Sequence, residues 1–421
     1  MNNTRNLLSS QARIQAPWIK VQIGNYSFGV FDKKTKKAIE NNEFYTKYEV
    51  TYPNYIQSLN IVKINGQVNQ YTLVITYPIT AQDDPNFFEK VFSSVSNTRK
   101  IVFSYGDSSM PSYVYKNEEA IITNISQQFN LEASSITYNV KAVSSAIICK
   151  TGAYNFMYSG LYKPSDVIKK IFFNTTYGLQ NVFTGMSKSN YDDLVARDDK
   201  VVELLPKTNI SPIDYINYLV SCMVPASSSQ NGLNKEIYIL TIHDDTVYDS
   251  LYNDTTTLGG PYFKVTKTST SVEQADAYEV DIGYNTANIV LGFTIESNEN
   301  YSLFYDYNEQ LHPQNYVRRL NNSGQWEDVY APLYLSGNPL FSTRSEDISW
   351  FTKMTKYPIS ASIKIQGLLR PAQLMQYLRL NVIFPGGNKH ISSGLYIVTK
   401  QIDDINASGY TTTLAITRIS S

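Results

Sequence analysis

Apolar and polar positions alternate with period two through most of this chain, and the clearest instance is Gln57 to Ile79. Leu59, Ile61 and Lys63 fall on one face of a first strand, with Asn60, Val62 and Ile64 on the other. Tyr71, Leu73, Ile75 and Tyr77 share a face of a second strand, opposite Thr72, Val74 and Thr76. Asn65-Gly66 lies between them. That dipeptide accepts the positive φ of a type I′ turn at both positions, so the stretch predicts a tight β-hairpin. Neither strand has a fully polar face, which predicts cover on both sides, as in a barrel, a sandwich or an assembly.

The same period predicts strands before and after. Ile19, Val21 and Ile23 alternate with Lys20 and Gln22, and Gly24-Asn25 turns the chain into Tyr26, Phe28 and Val30. Residues 1–16 carry no pattern and read as a loose arm; after the turn-like insert from Asp32 to Asn42, FYTKYEVTYP reads as a further strand. Phe88, Val91, Phe92 and Val95 then recur at helical spacing behind Asp84-Pro85, where Asp84 can cap and Pro85 can take the first helical position. RKIVFSYGD, YVYKNEEAIITNISQQF and SITYNVKAVS return to strands.

The middle of the chain switches period. Pro164-Ser165-Asp166 opens a helix with Val167, Ile168, Ile171 and Phe172 on its apolar stripe, and Gly178 marks the stop. Ser211-Pro212 opens a second, with Asp214 at the third position, Ile213, Ile216, Val220 and Met223 along one face, and Pro225 beyond its end. KEIYILTIHDD follows as a strand. From residue 251 the pattern is β again, through FKVTKTS, AYEVDIGY and NIVLGFTIES, with Tyr301 to Tyr307 as a continuation. Residues 311–340 read as a surface excursion, and YPISASIKIQG, QYLRLNVIF, GLYIVTKQI and GYTTTLAITRI as four closing strands. The expected fold is therefore mainly β with an α+β insertion. Its expected division is 1–150, a β domain; 151–250, a module with two helices; 251–350, a β-rich domain with the excursion; and 351–421, the closing strands.

At 421 residues the chain is too long for one ordinary core. Its 36 Lys+Arg against 37 Asp+Glu give a net charge of −1, which argues against a dedicated nucleic-acid binder or an anionic membrane surface. The 34 tyrosines suit strands and subunit interfaces. Cys149 and Cys222 lie in apolar settings that fit buried thiols and a reducing compartment. No signal-peptide pattern opens the sequence and no run reaches the ~18 apolar residues of a membrane span.

Candidate chemistry is sparse. His243-Asp244-Asp245 resembles a fragment of a metal or acid–base site, but at the end of a strand it is expected to be a solvated turn. His390 falls in a Gly-Gly-Asn-Lys turn and is expected at the surface; His312 has no chemical context. Asp83-Asp84 and Asp403-Asp404 lack the spaced ligands of a calcium loop. No nucleophile elbow, P-loop, zincin or dinucleotide motif is present. The expectation is a protein with no enzyme activity and no catalytic, cofactor-binding or metal residue, needing no cofactor.

Three stretches in order carry a resemblance to the baseplate hub proteins of long-tailed bacteriophages, a superfamily that includes the base of the type VI secretion spike. Ile56 to Ile79 looks like a hairpin of the tail-tube-like barrel in such hubs. Pro164 to Phe172 running to Tyr177-Gly178-Leu179, followed by Ile210 to Leu219, is similar to their pair of helical boxes. Ser393 to Val398 with Gly409 to Leu414 looks like the closing hairpin of a second tube-like barrel. The resemblance implies two tail-tube-like β-barrels per subunit and a homotrimer whose ring has near six-fold symmetry. Such a ring joins a hexameric tail tube to a trimeric central spike, contacts other baseplate proteins, and lines the channel for genome ejection, with DNA only in passage. It implies a virion component assembled in the host cytoplasm, with no stable membrane insertion. A receptor or carbohydrate-binding tail protein, and a cell-wall glycan hydrolase, stand as alternatives.

Overall fold

The computed structural model describes residues 17–30, 52–53, 55–79, 84–93, 99–107, 114–226, 238–244, 247–250, 254–268, 278–283, 290–297, 316–320, 326–330, 359–366 and 374–420. The expected arm at 1–16, the Asp32 to Asn42 insert, most of the strand after it, the Tyr301 to Tyr307 continuation, Asp83, Val95, Asp245 and His312 lie outside them.

The architecture is mainly β with a small helical module. In the first unit, β1 (Pro17–Ile23), β2 (Tyr26–Val30), β3 (Ile56–Ile64), β4 (Gln70–Pro78), a helix α1 (Phe87–Ser93), β5 (Lys100–Asp107), β6 (Val114–Asn130) and β7 (Ser135–Ser144) follow one another. They pair antiparallel in the order β3-β4-β7-β6-β5-β1-β2. Their inward positions converge on one core that includes Val21, Leu59, Ile61, Leu73, Ile75, Phe103, Tyr138 and Val140. Phe88 of α1 closes it, stacking on Phe28 with ring centroids 5.3 Å apart. This helix starts at Phe87, two residues after the expected Pro85. Contrary to the expectation, Asp84 does not cap it: its carboxylate accepts from the N–H of Asn86, ahead of the first turn, at 2.9 Å and holds Lys90 of the helix at 2.5 Å.

The hairpin alternates as expected on one side only. Leu59, Ile61, Lys63, Tyr71, Leu73, Ile75 and Tyr77 are buried, while Asn60, Val62, Ile64, Thr72, Val74 and Thr76 are half-buried. Within one chain the second face is partly covered, and the expectation of cover on both sides included cover by an assembly. The turn also differs. Gly66 has φ +70°, whereas Asn65 is not in the positive-φ region, so the type I′ turn is not formed. The last pair between β3 and β4 is Val62 with Gln70, leaving a seven-residue tip rather than a two-residue loop. Lys63 and Ile64 stay paired on the other edge of β3 with a strand from the far end of the chain, while the N–H groups of Asn65 and Gly66 are taken by the carbonyls of Thr399 and Leu240.

The middle module is built on α2 (Pro164–Phe173) and α3 (Pro212–Cys222). Val167, Ile168, Ile171 and Phe172 are buried on α2, and Ile213, Ile216, Leu219 and Val220 on α3. Gly178, in the left-handed region at φ +65°, ends a short turn that follows α2. On α3, Ser211 is the cap: its hydroxyl accepts from the Asp214 N–H at 3.2 Å and donates to the Asp214 carboxylate at 2.6 Å. Two further strands, β8 (Tyr238–His243) and β9 (Tyr262–Lys267), pair antiparallel beside the helices. Tyr262, Phe263 and Val265 of β9 lie in the module's core, so that core runs past the boundary expected at residue 250. Cys149 and Cys222 are both buried thiols.

The last part comprises β10 (Tyr278–Gly283), β11 (Val290–Ser297), β12 (Ile359–Gln366), β13 (Tyr377–Ile383), β14 (Gly394–Asn406) and β15 (Gly409–Ser420). Val280, Ile363, Leu380, Tyr396, Val398, Leu414 and Ile416 form a second β core. The β14–β15 hairpin is not confined to that core, because Ile405 and Tyr410 at its tip lie in the first. Along β14, residues 394–397 pair with β13 while residues 400–406 pair with β3. One sheet therefore runs through both β units, and the closing hairpin belongs to both. Within 311–340, Tyr316–Leu320 and Trp326–Tyr330 pair as an antiparallel hairpin.

Candidate functional site: a joint with a buried polar cluster

The tip of the β3–β4 hairpin is where the three parts meet. Its extra residues let Val68 enter the core of the helical module, away from the hairpin's own core. Gly66 donates its N–H to the Leu240 carbonyl of β8 at 2.8 Å, and Asn65 donates to the Thr399 carbonyl of β14 at 3.2 Å. A Cβ built on Gly66 would stand 3.2 Å from Oδ1 of Asn217 on α3. Close approach, as well as positive φ, calls for glycine there. A cleft of about 540 Å³ opens beside this contact, lined in part by Asn65, Gly66, Asn217, Leu240, Thr399 and Lys400.

Behind the tip lies a cluster of buried polar groups. Lys63 is on the inward face of β3, and its ammonium forms an ion pair with Glu118 of β6, itself fully buried. Tyr105 of β5 donates to Glu118 Oε1 at 3.1 Å. Tyr71 of β4 stands between two carboxylates, with its hydroxyl 3.0 Å from Glu118 Oε2 and 2.9 Å from Asp244 Oδ2. Asp244, at the end of β8, also accepts from Asn69 Nδ2 at 2.6 Å and from the Ser144 hydroxyl. On the β14–β15 side, Asp403 accepts from Thr412 at 2.6 Å and Gln401 at 2.5 Å. A buried ion pair costs desolvation that only such supporting hydrogen bonds offset.

Burial sets the electrostatics. It pushes the carboxyls of Asp244 and Asp403 up to about 6, against the hydrogen bonds that favour their ionised forms. Burial, and then the charges of Asp244 and Glu118, hold the Tyr71 phenol well above its usual range. Burial likewise pushes His243 down to about 3, with Lys264 and Lys63 acting in the same direction. The His243 ring is neutral, stacked on Tyr262 at 4.7 Å and 2.9 Å from the Thr241 hydroxyl.

The solvated turn expected at His243-Asp244 is therefore not what forms. Asp244 is fully buried and ties the module to the first β unit. His390 is exposed, with Nδ1 2.7 Å from the Ser392 hydroxyl. Asp404 is hydrogen-bonded by Asn60, and Asp84 holds Lys90 of α1. Among the described residues no group of His, Cys, Asp and Glu is arranged to hold a metal ion. Glu118, Asn69, Ser144 and Gln401 were not singled out by the sequence. The available signal was Lys63 itself, a charge on the same face as Leu59 and Ile61. Chemically, the cluster can exchange a proton and hold elements together.

No family model matches the chain, and no curated protein does. Among solved structures it is similar to a tail protein from Neisseria meningitidis, with 9% identity, 96% of each chain covered and a TM-score of 0.48. It is similar to a prophage MuSo2 tail protein from Shewanella oneidensis, with 10% identity, 96% of this chain and 99% of that one covered, and a TM-score of 0.48. A third likeness is to the E. coli c3393 protein, a type VI secretion component: 8% identity, 86% and 73% covered, and a TM-score of 0.45.

Proposed function

We propose that this chain is a structural, non-catalytic hub of a bacteriophage tail baseplate. In this reading three copies form a ring of near six-fold symmetry that joins the hexameric tail tube to the trimeric spike and surrounds the channel for genome ejection. The observation that carries the reading is the pairing of β14 with β3. The N-terminal and C-terminal stretches that resemble hub barrels are neighbours in one sheet spanning two β cores, with the helical boxes packed at their junction. Two curled β units in one subunit are what a trimer needs to present six similar faces to a hexameric tube. The half-buried second face of β3 and β4 supports the reading too, since a ring would cover or line that face.

The test is native mass measurement and negative-stain imaging of the purified chain, alone and with tail-tube and spike proteins. A three-fold ring with a central channel, bound at opposite ends by the two partners, is the expected result. A chain that stays monomeric with both partners present overturns the proposal.

A further inference from the structure

The polar cluster has one hydrogen too few unless a carboxyl supplies it. The Tyr71 hydroxyl lies within hydrogen-bond distance of both Glu118 Oε2 and Asp244 Oδ2, yet a phenol carries a single hydrogen. If that hydrogen goes to Glu118, the contact with Asp244 is an oxygen pair at 2.9 Å with nothing between. A proton on Asp244 resolves this. Asp244 then donates to the Tyr71 oxygen, Tyr71 donates to Glu118, and Glu118 takes Lys63 and Tyr105 on its other oxygen. We propose that Asp244 is a proton-operated latch: protonated, it locks the end of β8 and the helical module into the first β unit, and ionised, it loosens that joint.

The groups facing Asp244 leave few other outcomes. Tyr71 comes from β4, Lys63 from β3, Glu118 from β6, Ser144 from the end of β7 and Asn69 from the hairpin tip; Tyr105 of β5 and Asp403 of β14 stand around Glu118 and Lys63. His243 on its own strand is neutral, and Lys264 lies on the neighbouring β9. Lys63 is already engaged by Glu118, so ionising Asp244 sets a second carboxylate charge against one ammonium in a fully buried place. Burial holds the Asp244 carboxyl up at about 6, well above a free aspartate. The folded chain then binds more protons than the unfolded chain between about pH 4 and about pH 6. Stability conferred by the latch falls as pH rises through that window and is level above it. The inference does not depend on the assembly the chain belongs to.

The experiment is hydrogen exchange by mass spectrometry on the full chain, from about pH 5 to about pH 7.5, corrected for the intrinsic rate. The wild type, Asp244→Asn and Asp403→Asn are compared over peptides covering 63–71 and 238–244. In the wild type, exchange there is expected to rise about ten-fold over that range, nearly all of it below about pH 6.5, one unit of pKa difference being a factor of ten. Asp244→Asn, which keeps a donor for Tyr71, should be flat, and Asp403→Asn should keep the slope. The wild-type slope persisting in Asp244→Asn overturns the latch. Infrared spectra of the wild type and of Asp403→Asn give a reading that does not need Asp244→Asn to fold. A protonated-carboxyl band should be present at about pH 5 and lost by about pH 7.5, and because Asp403 contributes to it, Asp403→Asn should keep the part that belongs to Asp244; absence of the band at the lower pH in either protein overturns the proposal as well.

Discussion

Two residues carry most of the joint's geometry, and each makes a separable prediction. Gly66 is needed for its positive φ and for its approach to Asn217. Gly66→Ala should cost about 1–2 kcal/mol in unfolding free energy, read from denaturant melts. Only the clash is relieved by trimming the neighbour, so adding Asn217→Ala should recover part of the loss and leave the backbone part. Full recovery would show that φ is not the constraint. Tyr71→Phe removes the one hydroxyl that links Glu118 with Asp244 without altering the stacking of its ring on Phe103, whose centroid is 4.8 Å away. It should cost on the order of 2 kcal/mol, because buried Glu118 loses a donor and buried Asp244 loses a hydrogen-bond partner. A variant as stable as wild type would mean that the cluster is satisfied some other way.

At the scale of elements, local physics decided what the sequence could disclose. The helices were legible because caps and stripe agree: Ser211, Pro212 and Asp214 stand ahead of an apolar face, and all act within four residues of one another. Ser211→Ala should lower stability by about 1 kcal/mol while leaving the β cores' exchange pattern unchanged. Exchange that quickens in β3 or β14 as well would mean that the cap supports the joint. The hairpin strands were equally legible from their alternation. Its turn was not, since Asn65-Gly66 obeys contacts with Leu240, Thr399 and Asn217, which lie far away in the chain. The polar cluster was hidden for the same reason. Lys63, Tyr71, Glu118 and Asp403 each occupy an ordinary strand position, Asp244 follows the end of β8, and only the tertiary fold brings them together. Asp244 read as a solvated turn because nothing near it in sequence reveals a buried place where Asn69, Tyr71 and Ser144 supply its hydrogen-bond partners.

For the whole molecule, the shared hairpin has a thermodynamic consequence. The β14–β15 pair supplies Ile405 and Tyr410 to the first core and Tyr396, Val398, Leu414 and Ile416 to the second. Its strands are continuous, so neither core can dissolve completely without releasing part of the other's wall. The core of the helical module, by contrast, draws no residue from this hairpin. Leu414→Ala, a buried truncation in the second core, should cost about 2–5 kcal/mol. Exchange should quicken in β12, which pairs with β15, and in β13 and β3, which both pair with β14. Ile171→Ala removes a comparable side chain from the module and should quicken exchange in α2 and α3 first. If Leu414→Ala leaves β3 as protected as in the wild type, the two β units unfold independently and the continuous sheet does not couple them. If it quickens β3, the pairing of β14 with β3 is an energetic link between the two β units as well as a topological one.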